Sequence, residues 1–257
     1  MQDVLHQMNA AGLGVASISY DSESTLKNFA KSHKIEYPML SDGGSNVIRE
    51  FGILNSTIPK DSKYYGIPFP GDYVIGSDGI VREKYFLADY QTRPTASQIL
   101  LSDFNIKQGN ASVTINAEDV RMTLLLSNDK VAPGQELGTD VSIDIAPGWH
   151  IYGEPLPRNY RATSLVLSGD SVAHQSLSMP PAKPLELKAL GETLPVYQGM
   201  IRAKGTILIT SKLEPGRHRI QGILKFQECN DTICKLPQEV SFAVPITVEP
   251  LVPKSKN

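Results

Sequence analysis

Cysteine is scarce in this chain: its 257 residues hold two, Cys229 and Cys234, both in the stretch FQECNDTICKLP. A zinc site needs about four ligands. Neither a second cysteine pair nor a nearby histidine accompanies these two, so no metal is expected there. Charge of one sign is lacking as well, with 25 Lys and Arg against 27 Asp and Glu and a formal net charge of -2. Without a basic field, or a Lys/Arg stripe interleaved with aromatics, nucleic acid is excluded as a partner class. No apolar run approaches the roughly 18 to 20 residues of a membrane helix. The opening MQDVLHQMNA has neither the basic segment nor the long apolar segment of a signal peptide. Low-complexity tracts and internal repeats are absent too. What remains is an ordinary globular composition, 40% hydrophobic and 20% charged, long enough for two domains of roughly 100 to 150 residues.

The first hundred residues alternate between helical and strand periods. QDVLHQMNA sets Val4, Leu5 and Met8 on one helical face, and after Gly12 and Gly14 the run VASISYD reads as a buried strand. Asp21, Ser22 and Ser24 offer N-caps for STLKNFAKSH, with Leu26, Phe29 and Ala30 at helical spacing, and EYPML follows as a short strand. SNVIREFGI predicts a third helix carrying Val47, Ile48 and Phe51. DYVIGSDGIVREKYF predicts a hairpin turning at Ser77-Asp78-Gly79, because Asp-Gly supplies the positive φ that tight hairpins need. TASQILLSDF closes this part as a helix.

From about residue 109 the pattern changes. VRMTLLLS, TDVSIDIA, TSLVLSG, IRAKGTILIT, HRIQGILKFQE and EVSFAVPITV are short, alternating and β-branched, and Pro/Gly turns separate them. That is the pattern of a β-sandwich. The boundary is expected in the polar stretch Asn105 to Ser112.

These residues carry two resemblances. VASISYDSESTLKNFAKSHKIEYPMLSDGGSNVIREFGI, followed by YGIPFPGDYVIGSDGIVREKYF, resembles the thioredoxin-like redoxins of the peroxiredoxin (AhpC/TSA) type, over a domain of residues 1–104. APGWHIYGEPL, VYQGMIRAKGTILI and KFQECNDTICKLPQEVSFAVPITV resemble the N-terminal periplasmic domain of the thiol-disulfide reductase DsbD, over residues 109–250. The implied fold is α/β plus all-β: a truncated thioredoxin-like domain followed by an immunoglobulin-like β-sandwich. In the first family the reactive cysteine sits where the first core strand meets the helix that here reads MQDVLHQMNA. That strand and cysteine motif would precede Met1, so the resemblance implies an incomplete domain without a catalytic cysteine, part of a longer chain and open at its sheet edges. It also implies a cis-proline beside the active site, at Pro70 by its spacing to DYVI, with Asp72 where the family usually has Thr.

For the cysteines, spacing leaves several readings open. A bridge across so short a loop removes little unfolded-state entropy, about 2 kcal/mol, so a structural staple and two free buried thiols are both admissible. The redox reading gains from position: a short loop joins HRIQGILKFQE to KLPQEVSFAVPITV, which places both cysteines at one end of the sandwich, near solvent. Glu228 disfavours a thiolate at Cys229 and Lys235 favours one at Cys234. This assigns Cys234 as the sulfur exchanged with a partner and Cys229 as its resolving thiol. Trp149 in PGWHIY reads as core, and His150 as a strand histidine that could lie at the site. In the DsbD family a loop caps the cysteines. Its counterpart here is Ala189 to Tyr197, so Leu190 and Tyr197 are possible cap or site neighbours.

The function these features imply is thiol-disulfide exchange in the bacterial cell envelope or periplasm, needing no metal or organic cofactor. The partners would be thioredoxin-fold or other thiol-disulfide proteins, the chain's own redoxin domain among them. The alternative is a non-enzymatic docking module with a structural disulfide and an inactive redoxin-like unit.

Overall fold

The computed structural model describes residues 1–86, 95–187 and 191–250. The chain divides into two units, Met1–Ala96 and Ser97–Asn257. No helix among the described residues is long and apolar enough to cross a membrane.

The first unit alternates helix and strand in the expected order. A 3-10 turn at Gln2–Val4 leads into α1 (Leu5–Ala10), and Val4, Leu5 and Met8 are buried as their spacing required. β1 (Ser17–Ser19) pairs in parallel with β2 (Met39–Ser41) on either side of α2 (Glu23–His33). Ser22 caps α2 by accepting from the Thr25 amide at 3.3 Å, which satisfies one orphan donor of the first turn. Leu26 is buried, but Phe29 is 47% exposed, its ring lying 4.3 Å from that of His33. The short α3 (Asn46–Glu50) starts on the Asp42 carboxylate, which accepts from the amides of Asn46 and Ile48 at 2.9 Å each. β3 (Gly71–Ile75) and β4 (Val81–Phe86) form the expected hairpin, with Gly79 at φ 78 in its turn. Phe69–Pro70 is not cis: among the described residues the cis peptide bond is Glu154–Pro155. The Phe69 amide donates to the Ile53 carbonyl at 2.7 Å and Pro68 bridges Leu54, which holds an extended approach to β3 that the intrinsically favoured trans bond fits.

Among the described residues β1 pairs only with β2, and β3 only with β4. Two-stranded sheets are marginal by themselves, and Ile18, Leu40 and Ile75 on these strands are exposed. Amides of β1 and β3 should therefore exchange with deuterium on the order of 10²-fold faster than those of Ile220 to Phe226 in the second unit. Peptide-resolved exchange by mass spectrometry reads this directly, and equal protection in the two units would overturn the expectation.

The second unit is a sandwich. Its first sheet runs β11 (Val172–Ser178), β14 (Met200–Ile209), β8 (Glu136–Ile145), β6 (Val120–Leu126) and β5 (Ser112–Ala117), in that order. The second runs β10 (Ser164–Ser168), β15 (Gly216–Phe226), β17 (Gln238–Val248) and β7 (Lys130–Val131). Alternate residues of β6, β15 and β17 point inward, so Met122, Leu124, Ile220, Leu224, Phe226, Val244 and Ile246 share one core with Val141, Ile143 and Ile207. Gly222 stands opposite Phe242 in the β15–β17 ladder, and a Cβ there would fall 2.2 Å from the Phe242 ring. The bare backbone makes room for that aromatic.

The helix TASQILLSDF, α4 (Ala96–Phe104), lies almost wholly in this unit rather than closing the first. Its Ile99, Leu100 and Leu101 are buried, and Lys204 on β14 donates to the Ser102 carbonyl at 2.8 Å. A third sheet, β12 (Lys183–Leu187), β13 (Glu192–Tyr197), β9 (His150–Tyr152) and β16 (Glu228–Cys229), has a smaller core of its own. That core contains Cys229.

Candidate redox site

β15 and β17 run antiparallel to the pair Phe226–Gln238, and the chain between them carries both cysteines. Beyond this pair the segment folds into a tight turn. The Lys235 amide donates to the Glu228 carbonyl at 3.0 Å, and the Asn230 amide to the Ile233 carbonyl at 2.9 Å. The Asn230 side chain closes the turn by accepting from the amides of Thr232 and Ile233 at 2.9 Å each, the local bonding that makes asparagine a turn residue. Cys229 and Cys234 then stand directly opposite, with Cα atoms 4.1 Å apart, and are joined by a disulfide. Non-hydrogen-bonded positions of an antiparallel pair are the close ones, so this register brings the two sulfurs together.

The two sulfurs differ in environment. Cys229 is 1% exposed, whereas Cys234 lies in the exposed part of the turn between Ile233, 54% exposed, and Leu236, 85% exposed. The Tyr152 hydroxyl donates to Cys229 Sγ at 3.1 Å and lies 3.6 Å from Cys234 Sγ. Burial, then the neighbouring Tyr160 and Glu192, push the Tyr152 phenol up to about 12, so it keeps its proton at neutral pH. The Tyr160 ring lies tilted at 5.0 Å from that of Tyr152, and Tyr160 donates its hydroxyl to Glu192 at 2.8 Å. Leu187, Leu194 and Val196 complete the apolar surround of Tyr152 and Cys229.

Strand parity decides which expected residues reach this cluster. Cys229 pairs with His150, and Glu228 with Ile151. His150 and Tyr152 therefore share the face of Cys229, while Ile151 and Glu228 take the other. His150 is 1% exposed, and its ring sits edge-on to Tyr152 at 5.5 Å. Tyr197 pairs with Ile151, so it faces the main core and donates its hydroxyl to the Pro180 carbonyl at 2.9 Å; it is not at the site. Leu190 lies outside the described residues. Tyr152 was missed by the sequence reading; its signal was the alternation in His150-Ile151-Tyr152, legible only once β9 is placed beside Cys229.

The Lys235 ammonium is held by carboxylates. It lies 2.5 Å from Glu118, 2.7 Å from Asp119 and 2.9 Å from Glu228, and 4.2 Å from the centre of the half-buried Trp149 ring. Glu118 takes a left-handed conformation, φ 51, in the turn between β5 and β6, which presents it and Asp119 to Lys235. Those carboxylates hold the Lys235 ammonium well above its ordinary range, Asp119 most strongly. Burial raises the Glu228 carboxyl, and Lys235 opposes that. Glu118, Asp119 and Glu228 lie close enough together to suggest a cation site, and the cation they hold is this lysine.

Residues 1–84 match the model of the AhpC/TSA family, and residues 122–246 match the model described as thiol:disulfide interchange protein DsbD, N-terminal. The chloroplastic peroxiredoxin Q of Sedum lineare is 33% identical over 84 residues, 33% of this chain and 42% of that protein. The peroxiredoxin Q of Arabidopsis thaliana is 31% identical over 84 residues, 33% of this chain and 36% of that protein. The chain thus spans less than half the length of these curated relatives. Among solved structures, the N-terminal periplasmic domain of ScsB from Proteus mirabilis has a TM-score of 0.41 and 14% identity, covering 55% of this chain and 52% of that one. The reduced DsbD N-terminal domain of Neisseria meningitidis has a TM-score of 0.29 and 17% identity, covering 43% of this chain and 78% of that one. The chain combines a thioredoxin-like α/β unit with an immunoglobulin-like sandwich, in the order its sequence implied.

Proposed function

We propose that the second unit exchanges its Cys229–Cys234 disulfide with thiol partners, and that it does so in the bacterial cell envelope. The observation that carries this reading is the asymmetry of the bridge, one sulfur buried against a phenol and the other exposed. The match of residues 122–246 to the DsbD N-terminal family supports both the chemistry and the location.

In the reductive step a donor thiolate attacks Sγ of Cys234. A new S–S bond forms between donor and Cys234, the internal bond breaks, and its electron pair leaves on Sγ of Cys229. Exchange runs through attack along an accessible path, and attack at the exposed sulfur expels the buried one. Tyr152 stands ready to stabilise the leaving thiolate, since its hydroxyl already points at Cys229. A second donor thiol then attacks the donor sulfur of the mixed disulfide and frees Cys234, leaving the pair reduced and the donor oxidised. Run in reverse, the dithiol reduces an acceptor disulfide. Ile233 and Leu236 offer such a partner, a thioredoxin-fold protein or another thiol-disulfide protein, an apolar rim around the reacting sulfur. Both cysteines of the chain lie in this unit, so the residues of the first unit supply no thiol of their own.

Equilibration with glutathione redox buffers, read by alkylation and mass spectrometry, tests the proposal. An exchanging pair should equilibrate at a potential above about -300 mV. A potential below that value would mark the disulfide as structural and leave the sandwich as a docking module.

A further inference from the structure

The dithiol form raises a problem that Tyr152 does not solve. When Cys234 has attacked an acceptor disulfide, Cys229 must lose its proton before it can resolve the mixed disulfide. Cys229 is 1% exposed and enclosed by Tyr152, Leu187, Leu194 and Val196, so water has poor access to that proton. Tyr152 donates to this sulfur, and a phenol held protonated at neutral pH is a poor base for the thiol proton.

One buried group nearby has unused capacity. His150 is 1% exposed, and among the described residues its Nε2 has no hydrogen-bond partner. A buried polar nitrogen without a partner is rare and carries a free-energy penalty. His150 pairs with Cys229 in the β9–β16 ladder, where Cβ atoms of opposed residues on one face stand about 5 Å apart. It is also edge-on to the tyrosine that touches Sγ.

We infer that His150 is the base that takes the proton of the resolving thiol, Cys229. This rests on the exchange reading above. The step balances: the proton passes from Cys229 Sγ to the imidazole, and the Cys229 thiolate attacks Sγ of Cys234. The bond from Cys234 to the acceptor breaks, and its electron pair leaves on the acceptor sulfur, which takes up a proton. The cysteine pair is oxidised and the acceptor disulfide reduced. Burial holds the imidazole below its ordinary range, and Asp231, in the turn between the cysteines, opposes that shift. The groups facing His150 are Asp231, Tyr152 and Cys229, with Tyr160 and Glu192 acting behind Tyr152. The ring is therefore neutral, and able to accept, at and somewhat below neutral pH.

The test uses the reduced chain in excess over the symmetrical disulfide of thionitrobenzoate, followed by stopped flow. Attack by Cys234 releases one coloured thiolate, and resolution by Cys229 releases the second. His150→Gln should leave the first release within about twofold and slow the second on the order of 10²-fold, the low end of what a positioned base contributes. An unchanged second release in folded His150→Gln protein would overturn the inference and leave the exchange reading standing. No second release from the wild-type chain would overturn both. The pH profile of the wild-type second release needs no variant. It should fall with falling pH through an inflection below the ordinary imidazole value, and a profile showing thiol ionisation alone would overturn the role of His150 even if the glutamine variant does not fold.

Discussion

Cys229→Ser protein mixed with a small disulfide should accumulate a mixed disulfide through Cys234, and Cys234→Ser protein should accumulate almost none. The difference follows from access rather than from local charge. Cys234 is exposed, and Cys229 is 1% exposed in the cluster with Tyr152, Leu187, Leu194 and Val196. The exposed thiol meets its reagent in the folded state, whereas the buried one reacts through local opening. Iodoacetamide should therefore label Cys234 at least about tenfold faster than Cys229 in the reduced, folded chain. Intact-mass and peptide spectrometry read both experiments. Equal trapping by the two serine variants, or negligible labelling of either thiol, would overturn the assignment. Lys235 is engaged by three carboxylates and its range is set by them. Its charge is offset by those carboxylates, and exposure is the observation that separates the two sulfurs.

Lys235→Met should lower the melting temperature of the second unit by roughly 5 to 10 °C. The ion pair with Glu118 is largely exposed and contributes little. The weight falls on Glu228, which is fully buried, whose Oε1 takes Lys235 at 2.9 Å and Gln238 at 3.2 Å, and whose Oε2 has no partner among the described residues. Removing the ammonium leaves a buried carboxyl either charged and unpaired or protonated, both unfavourable. The methionine also gives up the contact of the ammonium with the Trp149 ring, 4.2 Å from its centre, which adds a smaller part to the effect. Glu228→Gln combined with Lys235→Met should recover more than half of the loss, because no charge is then left behind. Calorimetry on the three variants measures this. A Lys235→Met chain that melts with the wild type would show the cluster to be an ordinary surface network.

The Lys235 cluster also shows where sequence reading stops. Glu228 and Lys235 are close in the chain and were weighed together, but Glu118 and Asp119 lie 117 and 116 residues away from Lys235. Their arrival depends on how the β5–β6 turn meets the cysteine loop, which no local period encodes. Tyr152 is a similar case, reaching Cys229 across 77 residues.

Local patterns did determine much of this protein. Alternation in VRMTLLLS and EVSFAVPITV requires one face in a core, Asp78-Gly79 requires a hairpin turn, and Ser22 requires a helix start, because each follows from backbone sterics and a repeat of two or 3.6 residues. The pairing of Cys229 with Cys234 was within reach for the same reason, since a tight turn sets its own register. Tertiary structure decided what depends on placement. TASQILLSDF by its pattern could belong to either unit, and all of it but Thr95 and Ala96 falls in the second. Phe29 has the spacing of a core residue and remains exposed. His150 and Tyr197 were both candidates in the sequence. The register of β9 with β13 and β16 turned the first toward the disulfide and the second away from it, because a side chain in a strand points to one face or the other, and a pairing partner far along the chain decides which.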